Sequence, residues 1–203
     1  MSNRKIAVIV GVLFFVQMIT FMIGSALVKS FLDGEGSKAS LNTGVFLEMC
    51  SGIAVVAIGL LMYKVLKPVN KKLSLAYPLL RVTEFLVSAS MGIYLLIKLQ
   101  EVPNHLLWVY IPTALGGVVL TYLLFVSKLV PRPIAAIGLV GYLLLMLGVI
   151  LDFAGAVSID TGTGLLLFVP GGLFEFILLP LWLIFKGFNK PISANDKVPA
   201  GAV

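Results

Sequence analysis

Six stretches of about twenty predominantly apolar residues run through this 203-residue chain, at 6–28, 44–66, 74–98, 107–128, 134–157 and 163–186. Runs of that length constrain the fold more than any other feature. A bilayer offers no water to backbone N–H and C=O groups, so a spanning segment must satisfy them internally, as a helix does. A membrane barrel would instead show short segments alternating between lipid and lumen. Hydrophobic residues make up 60% of the chain and charged residues 12%, with a mean hydropathy of +1.09, against about one-quarter charged residues in a soluble domain. The connections are short and carry helix breakers: "DGEGSKAS", "KPVN", "EVPNH", "VPRP" and "IDTGTG". The expected fold is all-α, a polytopic membrane protein with one six-transmembrane-helix bundle over 1–190. The tail 191–203, "PISANDKVPAGAV" with the residue before it a lysine, is expected to be disordered.

Charge placement predicts an orientation. Eleven Lys and Arg residues, among them Arg4, Lys5, Lys67, Lys71, Arg132 and Lys186, fall on the side holding the N-terminus, against Lys29, Lys38 and Lys98 on the other. By the positive-inside rule both termini are cytoplasmic, N-in and C-in. The net charge of +6 is then a signature of orientation. It calls for the lipid bilayer as partner, with anionic lipid at the cytoplasmic lysines, and not for nucleic acid. The first run is longer than the apolar core of a signal peptide, which favours a retained helix.

Five ionisable residues interrupt the apolar runs: Glu48, Arg81, Glu84, Asp152 and Glu175. A charge facing lipid at mid-depth costs at least about 2.5 kcal/mol, so these side chains are expected to face the bundle interior, one another or water. Arg81 and Glu84 share a helical stripe with Pro78, Ser88 and Gly92, and small residues on that stripe allow close helix approach. Glu48 shares one with Gly44, Gly52 and Gly59. Asp152 lies beside Gly141, Gly148 and Gly155, with Gly138 and Tyr142 close by, and the first run offers Gln17, Thr20 and Gly24. In "VPGGLFEFILLP", Pro170, Gly171 and Gly172 predict a kink or short unwound segment that serves as a hinge. Four carboxylates against one guanidinium leave negative charge that protons, a cation or water must compensate. The expectation is a polar cavity open to the outside, with Arg81 shared by Glu84 and Glu175 at its floor and Glu48 and Asp152 in a shallower acidic layer. Its ligand-binding or polar-core residues are Arg81, Glu84, Glu175, Asp152, Glu48, Gln17 and Ser88.

No hydrolase, zinc-protease or nucleotide-binding motif occurs in a context where its chemistry works, and no Cys/His spacing suggests a metal. No catalytic residue, metal or cofactor is expected. His105, beside Pro103 and Asn104, reads as a solvated loop residue. Trp108, Tyr110 and Trp182 fit interfacial aromatic belts. The leading functional expectation is binding or transport of a small solute or cation through the polar cavity. The alternatives are a non-catalytic interaction or accessory subunit whose buried charges set helix register, and an intramembrane enzyme that modifies lipid.

Three stretches carry a resemblance: "LLMYKVLKPVNKKLSLAYPLLRVTEFLVSAS" at 60–90, "LVPRPIAAIGLVGYLLLMLGVILD" at 129–152 and "PGGLFEFILLPLWLIFKGFN" at 170–189. Together they resemble a bacterial membrane family catalogued as domain of unknown function four-three-eight-six. The resemblance covers nearly the whole chain and implies six helices in a bacterial cytoplasmic membrane. It implies no activity. It also suggests that Arg81, Glu84 and Glu175 occupy the family's polar positions, with a departure at Phe174, where a glycine is expected before the glutamate.

Overall fold

The computed structural model describes residues 1–158 and 162–189; the expected tail at 191–203, Lys190 and Asp160 lie outside them. The described residues form α1 (Asn3–Leu32), α2 (Lys38–Leu66), α3 (Lys71–Lys98), α4 (His105–Ser127) and α5 (Arg132–Phe153). A segmented sixth span follows: a 3₁₀ stretch at Gly162–Phe168, α6 (Val169–Gly172), a π-helical stretch at Leu173–Leu178 and α7 (Leu179–Phe185). Six helical stretches are long and apolar enough to cross a membrane, the sixth being Leu166–Phe185. The chain is an all-helical integral membrane protein.

Local chemistry sets where these helices begin and end. Ser37 and Ser40 form a reciprocal capping box, so α2 starts at Lys38. The Asn70 side chain accepts the Leu73 N–H at 3.0 Å and starts α3. Because α2 begins six residues before 44, Glu48 is ten residues into its helix, roughly 15 Å along it. Asp152 is the penultimate residue of α5. The two carboxylates therefore do not form one shallow layer. Gly155 lies beyond α5, in a left-handed turn at φ 71° that closes the helix end. It ends the expected seven-residue stripe, and a Cβ there would meet nothing within 4 Å among the described residues.

Each helix packs chiefly on its neighbours in sequence, and the sixth span returns to α1, which closes a ring. In lipid no hydrophobic force draws helices together, and close backbone approach takes its place. A Cβ on Gly24 would stand 2.8 Å from the Gly44 carbonyl oxygen, so α1 and α2 touch backbone to backbone. Gly141 meets Pro170 and Gly171 in the same way, seating the sixth span on α5. Gly117 on α4 leaves room for the Tyr142 ring. At the end that carries the N-terminus, Arg4 donates to the Leu183 and Ile184 carbonyls at 3.2 and 2.7 Å and joins α1 to the last turn of α7. Phe21, Met22, Phe46, Leu60, Leu86, Ile97, Ile150 and Phe185 are among the large apolar side chains left on the outer surface, as expected of a lipid-facing belt.

The sixth span departs from expectation in an informative way. Pro170 to Gly172 are helical, with Gly172 at φ −62° and ψ −43°, and are not unwound. The irregularity flanks them. Pro180 has no N–H to return to Phe176 four residues earlier, and the ladder before it runs at five-residue spacing, Leu179 N–H bonding the Phe174 carbonyl. A π stretch of this kind turns side chains that a regular helix would point elsewhere. Glu175 lies inside it.

Candidate functional site

Half-way along the bundle, five polar side chains from four spans meet. Arg81 and Glu84 come from α3, Gln17 from α1, Tyr142 from α5 and Glu175 from the π stretch. Arg81 is 2% exposed and donates through Nη1 to Glu84 Oε2 at 2.6 Å. Its guanidinium lies 5.1 Å from the centre of the Tyr77 ring, and its stem packs on Gly59 of α2. Gly116 of α4 faces the guanidinium, where a Cβ would be 3.6 Å from Nε. Nε and Nη2 have no hydrogen-bond partner among the described residues.

Glu175 does not share Arg81 by hydrogen bonding. Gln17 Nε2 donates to its Oε1 at 3.0 Å and the Tyr142 hydroxyl donates to its Oε2 at 2.6 Å. The expected three-way arrangement is thus two arrangements side by side, because the shift in the helix ladder brings Glu175 to α1 and α5. Phe174, where the resemblance departs, is fully buried over Gly138 and stacks edge-on to Tyr142 with centroids 6.2 Å apart. It holds the tyrosine ring at the carboxylate. Ser51 of α2 donates to the Gln17 carbonyl at 2.9 Å and fixes α1 beside it.

These groups border a cavity of about 300 Å³ lined by Gln17, Ser51, Glu84, Thr113, Tyr142 and Glu175 together with Phe21, Met22, Phe168, Gly172 and Phe176. Arg81 lies behind Glu84, outside the lining. A second cavity of about 410 Å³ sits toward the opposite end of the bundle from the N-terminus, bordered by Lys29, Asp33, Glu48, Ser88, Glu101 and His105. The two share Phe21, Val109 and Tyr110 in their linings, and Tyr110 stacks edge-on to Phe168 with centroids 5.0 Å apart. The residues expected to line a single cavity thus fall on two adjoining ones, with apolar and aromatic side chains common to both.

Of the residues singled out in the sequence, Arg81, Glu84, Glu175 and Gln17 come together at mid-depth. Glu48 and Ser88 belong to the second cavity, and Asp152 lines neither. His105 opens α4 instead of lying in a loop, with Nε2 3.7 Å from Glu101 Oε1. Sequence reasoning passed over Tyr142 as a site residue. Its signal was present: it lies four residues after Gly138, on the same helix face, and Gly138 is the residue over which Phe174 of the sixth span packs. Among the described residues no group of three or more His, Cys, Asp or Glu is placed to hold a metal ion.

Comparison with known families adds one finding. The family model described as "Domain of unknown function (DUF4386)" matches residues 9–100 and 88–187. The chain belongs to this family. The matched residues take in all five side chains of the central site. No curated protein and no solved structure matches the chain. Family membership brings no activity, and the function of this DUF4386 chain must be read from its own geometry.

Proposed function

We propose that the central cavity binds a small, positively charged solute and that the protein carries it across the membrane, with both termini on the cytoplasmic side and the basic helix ends against anionic lipid. The observation that supports this most is the charge count at the cavity. Glu84 and Glu175 border it, and the one guanidinium near them, Arg81, lies behind Glu84, pairs with it directly and acts on Glu175 only through space. The other Lys, Arg and His residues of the six spans lie at helix ends. Gln17 and Tyr142 orient Glu175, but neutral donors add no positive charge. Taking up a carboxylate without its counter-charge costs several kcal/mol in a low-dielectric interior, so a proton or a cation must balance it. The seat of α6 on Gly141 offers a surface over which the sixth span can rock as the cation passes.

Calorimetric titration of tetramethylammonium into the protein in lipid nanodiscs tests this reading. Saturable binding that disappears in Glu175→Gln, while the variant keeps its helical circular dichroism, is the expected result. Absence of saturable binding of tetramethylammonium, ammonium and alkali cations to the wild-type protein would remove the proposal.

A further inference from the structure

We infer that the cavity is entered sideways, through a portal in the membrane-facing surface between α1 and the sixth span, and that its ligand is a single-tailed amphiphilic cation whose charged head sits at Glu175 while its tail stays in the lipid. This rests on the preceding reading of the cavity as a cation site and adds the route and the shape of the ligand.

Three observations converge on it. First, the ties between α1 and the sixth span run from the N-terminal end of α1 only as far as the Gln17–Glu175 hydrogen bond. Arg4 holds the last turn of α7, and Gly11 packs against Pro180 and Ile184, where a Cβ would be 2.9 Å from the Pro180 carbonyl. Further along, α1 touches the π stretch more sparsely, and the principal partner of α6 is α5. The two spans part above Gln17 and Glu175, and the cavity lies in that gap. Second, the residues at the gap both line the cavity and face outward: Phe21 is 42% exposed, Met22 62% and Phe176 37%. At mid-depth of an integral membrane protein, such a surface meets hydrocarbon. Third, the route from the far end passes Phe21, Val109 and Tyr110, which line both cavities, with Tyr110 stacked on Phe168. A polar solute arriving from water would have to pass these apolar and aromatic side chains, whereas a molecule already in the bilayer reaches the gap directly.

The chemistry of the lining selects the head and the tail. Aromatic faces from Phe21, Phe168 and Phe176 beside a carboxylate suit a weakly hydrated cation, such as a quaternary or alkylated ammonium. The apolar rim of methionine and phenylalanine suits a flexible alkyl chain. An anionic head would meet two carboxylates, with Arg81 screened behind Glu84, and is excluded by like charge.

The test is a homologous series, from butyl- to octyltrimethylammonium, titrated into the protein in nanodiscs with empty nanodiscs subtracted. Only saturable binding that tetramethylammonium displaces is counted. A head held at Glu175 with its tail in hydrocarbon predicts that affinity, referred to free aqueous ligand, rises about fourfold per added methylene. Met22→Trp, which fills the gap, should flatten that slope. A flat or falling slope in the wild-type protein, with tetramethylammonium still bound, would overturn the portal and leave the cation site standing. An unchanged slope in Met22→Trp would overturn this placement of the portal. Failure of the whole series, tetramethylammonium included, would bring down the cation site as well.

Discussion

The arginine side and the tyrosine side of the central cavity each hold one carboxylate half-way through the bundle, and they hold it differently. On α3, Arg81 and Glu84 are three residues apart on one helix, so the pair is made as soon as the helix is made. Across the cavity, Glu175 depends on Gln17 from α1 and Tyr142 from α5, and it exists as a site only when three spans are assembled. A local ion pair is robust and already compensated. A carboxylate held by neutral donors on separate helices is oriented without a direct ion pair, and it is the one the proposed cation site uses.

The sharpest break of this contrast is Arg81→Leu. It leaves Glu84 without its cation in the interior and should cost about 3–5 kcal/mol of stability, measured by reversible unfolding in mixed micelles; adding Glu84→Leu should restore most of the loss. Equal losses in the single and double variants would show that the pair is not the local unit described here. Gly141→Leu comes next. Its side chain would meet the backbone of Pro170 and Gly171, which cannot yield as a side chain can. A loss of about 3 kcal/mol is expected, together with loss of cation binding, because the sixth span is lifted away from Tyr142.

Tyr142→Phe removes a hydrogen bond to a charged group and keeps the ring under Phe174. A loss of about 2 kcal/mol should accompany weakened tetramethylammonium binding in the same nanodisc titration. The mildest change is Gln17→Leu, with a loss of about 0.6 kcal/mol, the average for interhelical hydrogen bonds within membranes. Arg81→Lys should be similarly mild, since Nε and Nη2 make no hydrogen bond among the described residues and a lysine keeps the charge at Glu84. A large loss in Arg81→Lys would show that the planar guanidinium, through its place over Tyr77 and beside Gly116, does more than supply charge.

The two sides also differ in how far the sequence revealed them. "R-x-x-E" within an apolar run specifies both partners and their spacing, and Arg81–Glu84 follows from helix periodicity alone. Gln17, Tyr142 and Glu175 lie in three separate runs, and no spacing relates them. The break at Pro170–Gly172 looked the more natural place for an irregular backbone, because two glycines weaken a helix. Their contact with Gly141 keeps them helical, and Pro180, ten residues after Pro170, sets the π stretch instead. Glu48 and Asp152 were alike by type and by distance from the edges of their apolar runs; helix caps at Ser37 and beyond Phe153 put one well inside its helix and the other at a helix end.

By itself the sequence determined six membrane-crossing helices, because backbone groups in hydrocarbon leave a long apolar run no alternative, and it determined the Arg81–Glu84 pair, because three residues is a helical distance. Only the tertiary structure decided that Glu175 meets Gln17 and Tyr142, that Glu48 and Ser88 line a different cavity from Glu84 and Glu175, and that the sixth span packs on both α1 and α5. Those outcomes depend on where glycines let backbones touch and where a proline shifts a hydrogen-bond ladder, and such contacts are made between runs that are remote along the chain.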